Sequence, residues 1–377
     1  MNRRKMLGVV LMCFGFSLVY AAAQTQPAAG PPASAPTPPS SSAKTAVAPL
    51  PDPQTPQEFF ARARALSDLE ASGIPFHLKA TYVASGDAEF TGNGTYEEWW
   101  ESKDLWRKEA TLGDYKYVVI QSGGKNTVYG SSDYIPLRLR QMLDAVVIRI
   151  VPNTGTARKW KLKHKKLKGV DLAVLSSEYE CGDGKYKAKC LAEDYFTQGG
   201  VLRIHLEASV EAVYNGIHEF QELEIPHSVV VAGDNVEILT ISIASLEPLN
   251  PSESVLLQSA KPPANLPAIR LPLVPDEEKS AGIQTTSSRI TSQTQPVYPL
   301  AARQQRMEGT VVIDATIDEE GRIREPFVIG SASPILDMAA MDAIRKWRYQ
   351  PTTLDGAPIC VNTTISVKFA LGRLSFF

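Results

Sequence analysis

Two proline-rich tracts decide how this chain can fold. Gln24–Pro56 holds ten of the 27 prolines, many Ala and Ser, and only Lys44 and Asp52 as charges. Such a stretch cannot bury enough apolar surface to offset the entropy of ordering it and is expected to stay extended. A second tract runs from about Leu246 to Thr294, through EPLNPSESVLL and KPPANLPAIRLPLVP. The tracts are read as linkers at 24–56 and 246–290. They separate an N-terminal segment, a middle region at 57–245 and a C-terminal region at 291–377. With roughly 100–200 residues to a domain, the 377-residue length suits two domains and their connections.

The N-terminus reads MNRRKMLGVVLMCFGFSLVYAAAQ, with Arg3, Arg4 and Lys5 before an apolar run from Met6 to Tyr20 and a small-residue exit at Ala21–Ala23. Charge order, length and the A-x-A ending are those of a secretory signal peptide over 1–23, cleaved after Ala23. The rival reading keeps residues 6–23 as an anchor, which at ~1.5 Å per residue would barely cross a bilayer core. Cys13 lacks the small residue before it that a lipoprotein signal needs, so lipidation is not expected. Either way the bulk of the chain is exported. A net charge of -2 makes the whole molecule no electrostatic partner for nucleic acid. Cys181 and Cys190 flank a Gly-Asp-Gly turn, and in an oxidising compartment they read as a hairpin disulfide. Half of a zinc site is the alternative, but no further Cys or His falls at ligand spacing nearby. Cys360 is then expected as a buried apolar residue.

The middle region opens with a helix, Pro56 near its start, Phe59, Phe60, Ala63, Leu66 and Leu69 at helical spacing, and Gly73 at its end. Strand patterns follow: FHLKATYVA, GTYEEWWE, LWRKEATL, YKYVVIQS and KNTVYG, with turns at Ser102–Asp104 and Gly123–Gly124. A helical insert, IPLRLRQMLDAVV, precedes VDLAVLSSEYE, VLRIHLEASVEAVY, EFQELEIPHSVVVA and VEILTISIASL. Hairpin-joined strands in this number imply a large curved antiparallel sheet or half-barrel. Strand order and the EEWWESKDLWRKE and NTVYG hairpins resemble the periplasmic lipoprotein-carrier (LolA-like) fold, a half-barrel closed by helices.

The C-terminal region reads more sharply. From Gly309 to Asp318, Val311, Ile313, Ala315 and Ile317 alternate with Val312, Asp314 and Thr316. Glu319–Gly321 supplies a turn, and Ile323–Gly330 returns as a second strand. SPILDMAAMDAIRKWRY reads as a helix, Ser333 its N-cap, with an apolar stripe of Leu336, Ala339, Ala340, Ala343, Ile344 and Trp347 and a stop at Pro351. A last strand alternates Val361, Thr363, Ile365, Val367 and Phe369 with Asn362, Thr364, Ser366 and Lys368. The fold class is therefore α+β: a half-barrel-like middle domain and a small ββαβ domain. The Tyr298–Pro299 pair, Gly309 entering the first strand, Gly321 in its turn, and Trp347, Tyr349 and Pro351 at the helix end occur in the order of the TonB family C-terminal domain, which residues 295–371 resemble.

That resemblance implies a docking module. Its last strand receives an extended peptide from an outer-membrane transporter, by strand addition. The candidate partner-binding residues are Ile359, Val361, Asn362, Thr363, Thr364, Ile365, Ser366 and Val367, with the polar ones turned outward. The other reading has this edge covered by the chain's own tail, GRLSFF, or by a second copy. Energised family members carry a membrane helix with a functional His that couples to a motor; residues 1–23 contain no His. The expectation is a periplasmic or envelope protein that docks a transporter or other envelope peptide, the alternative a carrier of lipid or another apolar ligand in the middle domain.

No enzyme, cofactor or metal site is expected. His218–Glu219 lacks the second His of a zinc-protease helix and lies in strand-like sequence. GNG at 92–94 and GDG at 182–184 read as turns. Of Trp99 and Trp100, one could line a ligand cavity or both serve packing, since strand neighbours point opposite ways. The basic run RKWKLKHKKLKG, Arg158–Gly169, has two readings. The plainer is an exposed hairpin whose lysines discourage edge-to-edge pairing. The other is contact with anionic lipid or a cell-wall polymer.

Overall fold

The first helix among the described residues starts on a capping box. In α1 (Pro56–Ser67), Thr55 Oγ1 accepts from Glu58 N at 3.3 Å while the Glu58 carboxylate accepts from Thr55 N at 3.2 Å. Two orphan amides of the first turn are thereby satisfied, and Pro56 needs no donor there. Asp68 interrupts the helix and caps a single turn, α2 (Leu69–Ser72), which Gly73 closes at φ +72°. Phe59, Phe60, Ala63 and Leu69 are buried. The computed structural model describes residues 51–132, 134–146, 158–182, 187–269, 289–354 and 356–371, and the chain from Pro51 onward clusters as one compact unit. The expected signal peptide, and the first linker up to Leu50, lie outside the described residues.

Twelve strands follow: β1 (Phe76–Ala84), β2 (Gly92–Ser102), β3 (Leu105–Leu112), β4 (Tyr115–Ser122), β5 (Lys125–Gly130), β6 (Lys161–Leu167), β7 (Val170–Cys181), β8 (Ala188–Phe196), β9 (Leu202–Glu207), β10 (Val210–Phe220), β11 (Leu223–Gly233) and β12 (Val236–Pro248). They form one antiparallel sheet in the order β5-β4-β3-β2-β1-β12-β11-β10-β9-β8-β7-β6, which does not close into a barrel. Helix α3 (Leu137–Val146) lies in the connection from β5 to β6, and α1 and α3 pack on β11, α3 also on β12. One core cluster runs through Phe59, Phe60, Phe76, Tyr96, Leu139, Met142, Phe196 and Ile241.

Two expected strands are each split in two. VLRIHLEASVEAVY turns at Ala208 (φ +57°), and EFQELEIPHSVVVA turns at Gln221–Glu222 (φ +48° and +72°). No Gly or Pro marks either turn, so the alternating pattern runs straight through it. GNG at 92–94 is not a turn but the start of β2. Gly94 has no side chain because the Tyr82 ring crosses there, 2.2 Å from where a Cβ would sit, with Tyr82 Oη donating to Thr111 O at 2.6 Å.

The second proline-rich tract is folded over its described part. Asn250 caps α4 (Pro251–Gln258) with a second capping box. Beyond it, Gly130 N donates to Pro267 O at 3.1 Å, Ile269 N donates to Val128 O at 2.9 Å, and Ile269 is buried. This segment covers the outer edge of β5.

Among the described residues the remaining elements are β13 (Ile290–Ser292), α5 (Leu300–Gln304), β14 (Gly309–Ile317), β15 (Ile323–Gly330), α6 (Pro334–Ile344), β16 (Arg348–Tyr349), β17 (Thr352–Leu354), β18 (Ala357–Ile359) and β19 (Val361–Phe369). Strands β15-β14-β19 make a three-stranded antiparallel sheet. Leu336, Ala340 and Ile344 of α6 pack on its Val311, Ile313 and Ala315 face, with Trp347. The helix ends at Ile344, seven residues before Pro351, because β16 must pair with β13. Ser333 occupies the N-cap position without a side-chain bond; Asp337 instead accepts from Ala332 N at 3.2 Å and from Ser331 Oγ.

Candidate functional site

Strand β19 pairs with β14 over its whole length, from Val361↔Ile317 to Phe369↔Gly309, and stands at one end of the three-stranded order. Val361, Ile365, Val367 and Phe369 are buried. Asn362, Thr364 and Ser366 are half-buried rather than turned to open water, since the sheet has covered neighbours on both faces. Thr316 Oγ1 donates to Asn362 Oδ1 at 2.9 Å. Asp314, opposite Thr364, lies 3.5 Å from Arg140 of α3, and burial pushes its carboxyl above the usual carboxylate range. Ile359 does not belong to this strand: it pairs with Thr352 in the β17–β18 hairpin, 2% exposed, and Cys360 beside it is also buried.

The motif residues brace the sheet. The Tyr298 hydroxyl donates to Met307 O, and its ring meets that of Phe369 edge-on at 5.4 Å, tying the lead-in to the far end of β19. Pro299 stands at the N-cap of α5. Gly309 is needed because a Cβ there would lie 2.7 Å from Ala332 Cβ. Gly321 has φ +76° and accepts from Tyr349 N at 2.8 Å. Trp347 is buried and its Nε1 donates to Thr294 O at 2.7 Å.

Sequence reasoning missed the contact between the two sheets. Arg324 Nε donates to Glu89 at 3.1 Å, Arg345 donates to Asp87 at 2.8 Å, and Ser209 Oγ donates to Val328 O at 2.6 Å. Glu325, only 9% exposed and at φ +43°, accepts from Glu89 N at 3.2 Å and from Leu137 N at the start of α3. Burial raises its pKa. The Cys181–Cys190 disulfide forms as expected, with a Cα–Cα distance of 5.8 Å, and both cysteines pack on Val312 of β14. Nothing in the local sequence marks Glu325; its positive φ is visible only in the fold.

The other singled-out residues lie apart from this sheet. Trp100 is buried and stacks on Phe76 at 5.8 Å, whereas Trp99, on the opposite face, stacks on His77 at 4.8 Å. His77 also places Nε2 2.8 Å from Glu97 and Nδ1 2.7 Å from Glu253 of α4. His218 is exposed on β10, its ring 4.2 Å from that of His227. The basic run forms β6, the other edge of the large sheet.

Residues 294–371 match the family described as Gram-negative bacterial TonB protein C-terminal. Over 83 residues the chain is 35% identical to Protein TonB of Vibrio cholerae, covering 22% of this chain and 34% of that protein. Over 77 residues it is 35% identical to Protein TonB of Xanthomonas campestris, covering 20% of this chain and 34% of that one. The chain thus spans about a third of the length of the relatives it matches. Among solved structures, a LolA superfamily protein of Nitrosomonas europaea covers 54% of this chain and 97% of its own, at 12% identity and a TM-score of 0.33.

Proposed function

We propose that this is an exported cell-envelope protein whose TonB-like sheet docks an extended peptide, from an outer-membrane transporter or another envelope partner, by strand addition along β19. The observation that carries the reading is the placement of β19: the last strand of the matched domain stands at the end of its sheet, with β14 along one side. A strand so placed presents alternate main-chain N–H and C=O groups to an incoming strand. Asn362, Thr363 and Thr364 are half-buried, so flanking side chains can add selectivity. The hairpin disulfide suits an oxidising compartment outside the cytoplasm.

Titration of the full chain with transporter-derived peptides tests this. Thr363→Pro and Thr364→Pro separate the two sides of the strand. One removes an N–H that serves β14 and weakens the fold; the other removes an N–H on the far side and abolishes peptide binding with the fold intact. If no transporter peptide binds the unaltered chain, or if both variants bind as it does, the docking reading fails.

A further inference from the structure

We propose that β6 and the residues around it bind the surface of a membrane rich in anionic phospholipid. Seven of the eleven residues from Arg158 to Lys168 are Lys or Arg, in a chain that holds 39 over 377 residues and carries a net charge of -2. The run is therefore a local concentration of charge, not a reflection of the whole. It forms the edge strand of the large sheet and ends in a turn at Lys168 (φ +49°) and Gly169 (φ +87°).

Few of these charges are answered locally. Arg158 makes a two-pronged contact with Glu207, both arms 2.9 Å, and stacks on Tyr179. Lys165 lies over the Tyr195 ring, and Lys166 is 3.9 Å from Asp171. Lys159, Lys161, Lys163 and Lys168 are exposed, with no carboxylate at ion-pair distance among the described residues. Edge lysines discourage strand pairing, but four exposed lysines without a nearby carboxylate among the described residues also concentrate positive potential along this edge.

The interleaved apolar side chains do not form an inserting wedge. Trp160 meets Phe60 edge-on at 5.2 Å, Leu162 packs on the main core, and Leu167 packs with Leu172, Val174 and Tyr195. They anchor the strip to the sheet, which makes the contact electrostatic and reversible. Charge lies on both sides of the strand, Lys161 and Lys163 on one face and Lys166 on the other, with same-face neighbours about 6.7 Å apart. Long stems let both rows reach one plane lying across the edge. A flat anionic surface engages both rows at once, whereas a single-file polymer meets one.

The test is co-sedimentation of the full chain with vesicles of phosphatidylcholine carrying a quarter phosphatidylglycerol, against pure phosphatidylcholine, at about 0.1 M salt, where the Debye length is ~10 Å. Binding is expected only to the anionic vesicles and is lost on raising the salt. Each lysine near such a surface strengthens binding about fivefold. The Lys159→Gln, Lys161→Gln, Lys163→Gln, Lys168→Gln variant should therefore bind roughly 600-fold more weakly. The matching four-Arg variant should bind as the unaltered chain does, which separates lost charge from lost fold. Equal binding to neutral vesicles would overturn the proposal. So would a Gln variant that keeps its affinity and merely self-associates, the outcome expected of an edge guard. Preference for soluble polyphosphate over the vesicles would overturn it in favour of a polymer.

Discussion

Gly321→Ala isolates what the turn after β14 contributes to the three-stranded sheet. Gly321 sits at φ +76°, and a Cβ there would lie 1.9 Å from Tyr349 O. Alanine bears two costs. The left-handed backbone costs about 1–2 kcal/mol. The collision forces the turn and β16 apart by about 1 Å or more, which breaks the 2.8 Å bond from Tyr349 N to Gly321 O. Losing that bond and stranding its partners adds about 1–3 kcal/mol. Gly123→Ala is the control: its φ is +58°, but nothing lies within 4 Å of its Cβ, so only the backbone cost applies. Amide exchange of peptides spanning 309–330 and 344–354 reads the local opening energy. Gly321→Ala should lower it by about 2–5 kcal/mol, and Gly123→Ala should leave this sheet untouched and lower overall stability by about 1–2. Equal overall costs for the two, or protection in 309–330 unchanged by Gly321→Ala, would refute the clash argument.

Glu325→Ala strands the Leu137 and Glu89 amides and should destabilise the contact between the sheets by about 2–4 kcal/mol, read as faster exchange at the start of α3, whereas Glu325→Gln keeps an acceptor and should cost about 1 kcal/mol or less. The pH dependence has a definite sign. Glu325 has a raised pKa, so its contribution is full below the ordinary carboxylate range and is lost as pH climbs through the raised value; Glu325→Gln should flatten that fall in a titration of stability. Glu89, held low by its bonds from Arg324, works oppositely, its contribution being present above the ordinary range and lost as pH falls. Replacing Cys181 and Cys190 by Ser removes a cross-link of sequence separation 9 and should cost about 2–3 kcal/mol in denaturant unfolding, with faster exchange at Val312. Trp347→Phe removes the bond to Thr294 O and should cost about 1 kcal/mol by the same unfolding assay.

Elements with one buried face and a marked turn were legible in the sequence. Strands β3, β4 and β5 begin and end where alternation and Gly123–Gly124 place them, and β14 shows its faces directly. The β9–β10 and β10–β11 hairpins were hidden because Ala208, Gln221 and Glu222 take left-handed conformations that Gly or Asn would have announced. The second proline-rich tract looked like a spacer, since composition does not reveal that Ile269 can add a bridge to an exposed edge. Alternation on β19 reports two faces but not what covers the second; here α3 and the large sheet lie beyond it, so Asn362, Thr364 and Ser366 are half-buried. The last strand was legible in place as β19, Val361–Phe369, though Ile359 belongs to the hairpin before it.

Amide exchange of the full chain with and without a transporter-derived peptide measures directly whether that peptide adds to β19. Strand addition gives new protection at alternate residues between Val361 and Ile365, with α6 and the large sheet unchanged. Protection confined to the large sheet, or binding that leaves 361–369 unprotected, would contradict it.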